Sequence, residues 1–514
     1  MTKIGVVFIG LGYMGFRAYA SLTLIIETLK RCHQIEISLI IAIEPDEQTK
    51  KDFKRFFDVL LIPFKIYSSL EEFFSDFNSL LGKIQIKHLI FYDASPTQLH
   101  ASNLNRINQF KKSADSSIDF YYFGEKPLST DKEQLCSWLE EEIIPFCCDF
   151  IEIQNSAYLI LKNYLNSVGF EIETLKFCRA SCMGFEKLFK PAHRKGVTGG
   201  ALEDKGIHDI VLTIDLLGGI ENLKIKKKKI KKKNGNISCL IEGVTIKPDI
   251  ECIYFMPDSI FSLIAPEPFF MTTTSEKPIK TIFEKTTFKK PPTQAQEYWL
   301  YAADAVFKME IDWYLKNGKK INTSYYFSWV GVPKAIKEEM EVIQKKTVNK
   351  KELEKFKWLG EKKEEIEYKS SFIGKVSYSF EETRIIIIEG KSKNKKEKII
   401  CNLLRKPEVG ILEQWVYKFS DNKIEPIKID KESFPFDQNA LARMFYNVIL
   451  SFLGKEKFHK KVGKKATCWA HLIIAEARKK AFDEILSKSK NLEELSYEYM
   501  NKYKKVFSKK VDFY

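Results

Sequence analysis

The chain has 514 residues, enough for two to four domains at ~150 residues each. Hydrophobic residues make up 44% of it, which excludes a disordered chain, and no apolar run reaches the ~18 residues of a transmembrane span. The net charge is +15, but only 10 of the 83 basic residues are Arg, the side chain that binds phosphate and guanine through two donors at once. We therefore expect neither a nucleic-acid partner nor a membrane partner.

The ten cysteines are scattered along the chain and form no Cys-x-x-Cys pair. In a long chain without a secretory segment, this pattern is typical of free thiols in a reducing compartment. The spacing also lacks the two ligand pairs of a zinc site. We predict a cytoplasmic protein without a bound metal.

The chain opens on a nucleotide-binding pattern. Residues 4–9 form the short apolar run of a buried parallel strand, and a helical segment begins at Phe16. Between them lies a GxGxxG turn, whose glycines permit the tight bend, the approach of a pyrophosphate and close helix packing. The residues predicted here to contact a dinucleotide are Gly10, Gly12, Tyr13, Met14 and Gly15.

An acidic residue ends the second predicted strand, 37–43. The carboxylate of Glu44 is placed to accept both ribose hydroxyls of an adenosine and to repel a 2′-phosphate, which favours NAD over NADP. Because Glu44 lies far beyond Gly15, the first helix must be long. The alternative role, capping of the next helix, suits Asp46 better than Glu44.

Helices and strands continue to alternate. The predicted helices are 48–61, 69–81, 99–110 and 131–144, and the predicted strands between them are 64–67, 87–94 and 119–123. This order predicts an α/β fold with an N-terminal Rossmann dinucleotide-binding domain at 1–150. A further strand, 149–154, is expected to lead into the second domain.

Three more motifs follow the glycine turn. They are Ser95-Pro96-x-x-x-His100, Glu125-Lys126-Pro127, and the segment Gly199-Gly200-Ala201-Leu202-Glu203-Asp204-Lys205-Gly206-Ile207-His208. With these four motifs in order, the chain resembles the glucose–fructose oxidoreductase / inositol dehydrogenase / rhizopine catabolism (Gfo/Idh/MocA) family over residues 1–218, and again at 434–482. The resemblance implies that Ser95, Pro96, His100, Glu125 and Lys126 border the cofactor.

The resemblance also implies catalytic roles. His208 would be the general acid/base, Asp204 would hold its ring, and Lys126 would stabilise the reacting oxygen. Substrate would contact Lys126, Asn155 and His208. Asp204 and His208 are four residues apart, so on one α-helix they would share a face. By spacing alone, a core histidine is the alternative for His208. The family's Arg after the Asn and its Asp after the His are absent, the latter replaced by Val211.

Residues 151–514 are predicted to form an α+β domain with a largely antiparallel open sheet that mediates substrate binding and homo-oligomerisation. Hairpins are expected at Asn234-Gly235, at Asn317-Gly318 and between 384–389 and 398–404. A charged helical insertion occupies 333–365. The tail is helical at 439–453 and 466–485, with His471 in a structural role, and ends in a basic segment at 492–514.

The resemblance therefore implies an NAD(P)-dependent oxidoreductase that transfers hydride between nicotinamide and a hydroxyl or carbonyl carbon of a sugar, cyclitol or sugar nucleotide. Two alternatives stay open. One is an NAD-dependent glycosidase of the same fold, and the other is a non-catalytic nucleotide-binding regulatory protein. The joint presence of Lys126, Asp204 and His208 argues against the regulator, which has no use for that set.

Overall fold

A computed structural model describes most of the chain. The described residues are 1–57, 62–81, 85–114, 117–181, 200–231, 237–255, 302–328, 368–370, 373–376, 382–404, 415–420, 423–427, 436 and 439–488. Gly199 of the last motif, the expected insertion 333–365 and the terminal segment 492–514 lie outside these residues.

The N-terminal third is a six-stranded sheet in which every neighbouring pair is parallel. Its strands are β1 (Thr2–Ile9), β2 (Ile35–Ile43), β3 (Phe64–Tyr67), β4 (His88–Asp93), β5 (Asp119–Gly124) and β6 (Phe146–Cys148). Its helices are α1 (Tyr13–His33), α2 (Glu47–Phe57), α3 (Leu70–Leu81), α4 (Thr97–Ser113) and α5 (Lys132–Glu140). The central strands are unbroken apolar runs because helices bury both faces of the sheet.

The strand order β3-β2-β1-β4-β5-β6 places a topological switch between β1 and β4. From β1 the chain winds to one side, and from β4 it winds to the other. In such sheets ligands bind in the crevice at the carboxyl ends of the strands flanking the switch. Here those ends lead into Gly10 and into Asp93.

One predicted strand, 149–154, is wrong. The strand in this region, β6, ends at Cys148, before the predicted range begins. Ile151–Gln154 forms a 3₁₀ turn. The reason is a helix start: the Asn155 side chain accepts the Ala157 N–H and begins α6 (Ser156–Val168).

A second sheet follows in the order β10-β11-β12-β7-β15-β16-β17-β18, antiparallel except where β7 meets β12. The strands that form it or its attached hairpins are β7 (Glu171–Ser181), β8 (Lys226–Lys231), β9 (Ile237–Glu242), β10 (Val244–Phe255), β11 (Ala302–Tyr314), β12 (Lys320–Ser328), β13 (Tyr368–Ser370), β14 (Ile373–Val376), β15 (Glu382–Ser392), β16 (Lys395–Asn402), β17 (Trp415–Ser420) and β18 (Lys423–Pro426). The predicted fold class and the three predicted hairpins are confirmed.

The remaining helices connect the two sheets. They are α7 (Ile207–Leu216), α8 (Ala440–Phe452), α9 (His459–Val462) and α10 (Lys464–Lys488). The tail returns to the parallel sheet, where the Phe445 ring lies 4.8 Å from Tyr92 and 5.1 Å from Phe123, centre to centre. No helix within the described ranges is long and apolar enough to cross a bilayer.

Two glycines of the first turn differ in what an added methyl group would meet. A Cβ on Gly15 would lie 2.1 Å from the Gly10 carbonyl oxygen, whereas one on Gly12 would meet nothing within 4 Å. We predict that Gly15→Ala lowers the free energy of unfolding by about 1–3 kcal/mol. Gly12→Ala should change it by less than about 1 kcal/mol. Urea denaturation of both variants checks this, and equal midpoints would contradict the packing argument.

Candidate active site

The glycine turn is shaped by its own backbone contacts. Gly10 has φ +80°, and a Cβ there would come within 2.9 Å of the Ser95 nitrogen. Gly12, with open space beside it, is the N-cap of α1 and supplies no side-chain cap. The first-turn amides of this 21-residue helix therefore have no side-chain cap, and uncapped helix N-termini are the arrangement that binds phosphate. Tyr13, next to Gly12, is 75% exposed.

Glu44 is fixed next to this turn. Its carboxylate is 8% exposed and accepts the backbone N–H of Leu11 at 2.8 Å and that of Asp46 at 3.0 Å. Asp46 takes the capping role, because its own carboxylate accepts the N–H and hydroxyl of Thr49, bonds that lower its pKa. Glu44 is thus left at the tip of β2, facing the turn.

The loops after β4 and β5 are tied to each other. The ring nitrogens of His100 lie 2.8 Å from the Ser95 carbonyl oxygen and 2.9 Å from that of Pro127. Ser95 is held in turn by Asp93, whose carboxylate accepts its N–H at 3.0 Å. His100 is 1% exposed, so it positions the two loops rather than facing the crevice.

A carboxyl pair lies behind the loop that follows β5. The Tyr92 hydroxyl lies 2.9 Å from Glu125 Oε1 and 3.4 Å from Asp149 Oδ2. Burial, together with the nearby Glu125 carboxyl, raises the pKa of Asp149 well above its usual value. Burial and the Glu125 carboxyl therefore both favour the protonated form of Asp149.

Lys126 reaches across to the segment before α7. Its Nζ donates to Asp204 Oδ1 at 2.9 Å and to the Asp204 carbonyl oxygen at 2.8 Å. The two side chains are 20% and 13% exposed, so the pair is largely shielded from water. The structure thus brings together two predicted catalytic residues that are 78 positions apart.

The segment that carries Asp204 is not the α-helix that the sequence predicts. Leu202–Gly206 forms a π-helical turn, and α7 begins only at Ile207. The wider turn packs Gly206 against β12, where a Cβ would meet the Phe327 ring at 2.9 Å. The four-residue spacing argument for Asp204 and His208 is therefore wrong, since it holds only for α-helical geometry. Single π-turns of this kind are frequent at functional sites.

Like Glu203 and Asp149, His208 is one of six described residues that carry a buried side-chain polar atom without a hydrogen-bond partner. Its Nδ1 is buried and has no hydrogen-bond partner among the residues that the structure describes. Burial, followed by the positive charges of Lys126 and Arg179, lowers the pKa of His208 well below its usual value. The ring is therefore neutral, and it offers a nitrogen that a bound molecule could use.

A buried ion-pair network surrounds that ring, and sequence reasoning missed it. Arg179 donates to Glu152 at 2.8 Å and to Asp209 at 2.7 Å. Arg384 donates to the same Glu152 oxygen at 2.7 Å. Burial alone would raise the pKa of Glu152, but the two guanidinium groups outweigh it and hold that pKa below its usual value. The scarcity of Arg in this Lys-rich chain is the signal that could have singled out both arginines.

Asn155 has a structural role in this network. The residue is 2% exposed, and its Nδ2 donates to Glu152 Oε2 and to the Leu403 carbonyl oxygen, each at 2.9 Å. Its Oδ1 caps α6. The substrate contact expected at Asn155 stays a prediction.

No grouping of three His, Cys, Asp or Glu side chains suited to a metal ion occurs in the described part of the chain.

No family model and no curated protein matches the sequence. Solved structures do match. The transcriptional regulator Gal80p from Kluyveromyces lactis is 11% identical, with 94% of this chain and 90% of that chain covered and a TM-score of 0.51. An oxidoreductase from Sinorhizobium meliloti is 8% identical, with 94% of this chain and 98% of that chain covered and a TM-score of 0.49. The WlbA dehydrogenase from Bordetella pertussis, solved with NADH and UDP-GlcNAcA, is 10% identical, with 94% of this chain and 97% of that chain covered and a TM-score of 0.48. The match to Gal80p shows a shared fold.

The ion-pair network predicts a large stability effect. Glu152→Gln removes the carboxylate on which both Arg179 and Arg384 converge, so we expect a loss of about 3 kcal/mol in the free energy of unfolding. The control is Glu173→Gln in the exposed pair with Lys391, which should leave the urea midpoint unchanged. Equal midpoints for the two variants would show that the network does not stabilise the fold.

Proposed function

We propose that the protein is an NAD-dependent oxidoreductase that acts on a hydroxyl or carbonyl carbon of a small carbohydrate-like molecule. The observation that carries the proposal is the meeting of Lys126 and Asp204 at 2.9 Å, close to a neutral His208. In this proposal the three groups line one side of the crevice at the carboxyl ends of the parallel strands, and the glycine turn lines the other. The charge of Lys126 near the imidazole, whose Nδ1 has no partner among the described residues, supports this assignment.

The residues present fit a dinucleotide. The open space beside Gly12 and the uncapped N-terminus of α1 suit a pyrophosphate, and Glu44 suits an adenosine ribose. Ser95, Pro96, Glu125 and Lys126 would border the nicotinamide half, with His100 holding their two loops together. When bound, the nicotinamide accepts or supplies the hydride.

The chain itself would handle the proton and the developing charge. The neutral His208 imidazole takes the hydroxyl proton as the hydride leaves the same carbon. Lys126 donates a hydrogen bond to that oxygen and offsets its growing negative charge. Asp204 holds the Lys126 ammonium in place through the 2.9 Å contact. In the reductive direction the same proton returns from His208 to the oxygen.

The substrate class rests on the motif resemblance, which favours a sugar, cyclitol or sugar nucleotide. The alternative enzyme is a glycosidase that keeps NAD bound. It would be distinguished from a dehydrogenase by the absence of net hydride transfer to or from NAD in solution. A nucleotide-binding regulator is a second candidate, because the fold is shared with the regulator Gal80p. Cofactor binding without turnover on any substrate would favour that candidate.

Two further proposals concern the setting of the protein. The seven cysteines whose side chains the structure describes are free thiols, which supports a reducing compartment such as the cytoplasm. The open antiparallel sheet supports association into a homo-oligomer, as the motif resemblance implies.

Cofactor choice gives one testable outcome. We expect NADH to bind more tightly than NADPH, because the Glu44 carboxylate repels a 2′-phosphate. Glu44→Gln keeps an acceptor oxygen for the Leu11 N–H, although it loses the acceptor of the Asp46 N–H, and it should narrow the preference for NADH over NADPH by about tenfold. Fluorescence titration with each reduced cofactor measures this. Equal or tighter NADPH binding by the unaltered protein would defeat the assignment of Glu44.

The acid/base role of His208 gives a second testable outcome. On a substrate found by screening polyols and sugar nucleotides, His208→Ala should lower turnover by ~10²–10⁴-fold while NADH affinity is kept. The neutral ring is the active base and its pKa is lowered, so kcat/KM should stay level as the pH falls from ~8 to ~6.5 and decline only below that range. An acid limb above neutrality, or near-normal turnover by His208→Ala, would remove His208 from the reaction.

A further inference from the structure

Helix α10, near the end of the chain, touches the loop that carries Lys126. His471 accepts the Leu128 N–H on Nε2 at 3.0 Å and donates from Nδ1 to the Thr467 carbonyl oxygen at 2.7 Å. Burial lowers the pKa of His471 to about 4, so the ring stays neutral and keeps its acceptor nitrogen toward the loop. Leu128 is two residues beyond Lys126, and on the other side His100 holds the Pro127 carbonyl oxygen.

The same helix touches the π-turn that carries Asp204. Arg478 Nη1 donates to Glu203 Oε1 at 3.1 Å, and Glu203 directly precedes Asp204. The Glu203 side chain is 5% exposed and the Arg478 side chain 21% exposed. Burial raises the pKa of Glu203, and the Arg478 charge opposes that rise, so the pair is the contact through which α10 favours the ionised form of this side chain.

The two contacts are made from one side of one rigid element. His471 and Arg478 are seven residues apart in α10, which is two helical turns and roughly 10 Å along the axis. One contact lies two residues beyond Lys126, and the other lies immediately before Asp204. The separation of the two contacted backbones is thus set by the length of a helix.

We propose that His471 and Arg478 are positioning residues, and that α10 braces the Lys126 loop and the π-turn so that Lys126 and Asp204 meet. Reacting groups must be held to within ~0.5 Å of their working geometry, and loops do not supply that by themselves. The significance of the brace for turnover depends on the oxidoreductase function proposed above. The existence of the brace does not depend on that function, because it concerns only the contact between Lys126 and Asp204.

The test is site-resolved acetylation of lysines with acetic anhydride, followed by mass spectrometry of the full-length protein. An ammonium held on a carboxylate reacts slowly, so the labelling rate of Lys126 reports how closed the pair is. Lys162, in an ion pair with Asp215 between α6 and α7, is the internal control. Each variant is labelled at a urea concentration well below its unfolding midpoint.

For the π-turn contact, Arg478→Gln should raise the labelling rate of Lys126 by about two- to fivefold, the range in which a partly exposed ion pair shifts an equilibrium. The rate at Lys162 should not change. Arg478→Lys keeps a positive charge beside Glu203, so it should restore most of the protection of Lys126 from labelling. Glu203→Gln should match Arg478→Gln, and the double variant should add nothing further, because Arg478 acts through Glu203.

For the loop contact, His471→Leu removes the acceptor of the Leu128 N–H, and His471→Gln supplies an amide oxygen near the same place. The Leu variant should expose Lys126 to labelling, and the Gln variant should protect it. If the Leu variant does not fold, the Arg478 series alone decides the matter.

Unchanged labelling of Lys126 in folded Arg478→Gln would overturn the brace. Equal increases at Lys126 and Lys162 would do so too, since they would indicate general loosening. The labelling rates of Lys126 and Lys162 are measured without substrate, so they test the brace independently of the proposed function. A failure of the proposed function would instead be seen as an absence of turnover in the unaltered protein. With a substrate in hand, the brace predicts that Arg478→Gln lowers kcat while the KM for NADH is kept.

Discussion

An ammonium from the parallel sheet and a carboxylate from the π-turn before α7 meet at 2.9 Å, and both are largely shielded from water. Removing two charges from water is unfavourable unless each finds a partner with good geometry. The loops that carry them are therefore constrained on several sides, by His100 and His471 around Pro127 and by Arg478 beside the π-turn. One of these contacts, from His471 to the Leu128 N–H, joins residues that are 343 positions apart in the chain.

The same rule of paired charge governs the surroundings of the site. Arg179, Arg384, Glu152 and Asp209 neutralise one another in the interior, so none of them is left as an uncompensated buried ion. His208 lies among these charges as a neutral ring with a buried nitrogen that lacks a partner in the described part of the chain. Glu203 Oε2 and Asp149 Oδ1 are likewise buried without a partner in the described residues, so the role proposed for His208 rests on the neighbouring Lys126 charge and not on the unpartnered nitrogen alone.

Much of this arrangement could be predicted from the sequence, because its signals are local. The glycine turn, the Glu125-Lys126-Pro127 loop and the alternation of strands and helices depend on neighbouring residues, and the structure agrees with them. The Arg179–Glu152–Arg384 network could not be predicted, since it needs β7 and β15 to pair in the register that sets Arg384 opposite Arg179. The π-turn and the early end of β6 were missed for a related reason: tertiary packing of Gly206 and the cap at Asn155 decided them.

The central claim is that hydride passes between a nicotinamide and a substrate carbon at this crevice, and the most direct measurement follows the hydrogen itself. The protein is incubated with NADH carrying deuterium at both positions of the nicotinamide C4 and with a panel of keto sugars, keto cyclitols and keto sugar nucleotides. Mass spectrometry of the products should find deuterium on the former carbonyl carbon of at least one, and the transfer should be lost in His208→Ala. Tight NADH binding with no deuterium on any product would contradict the account.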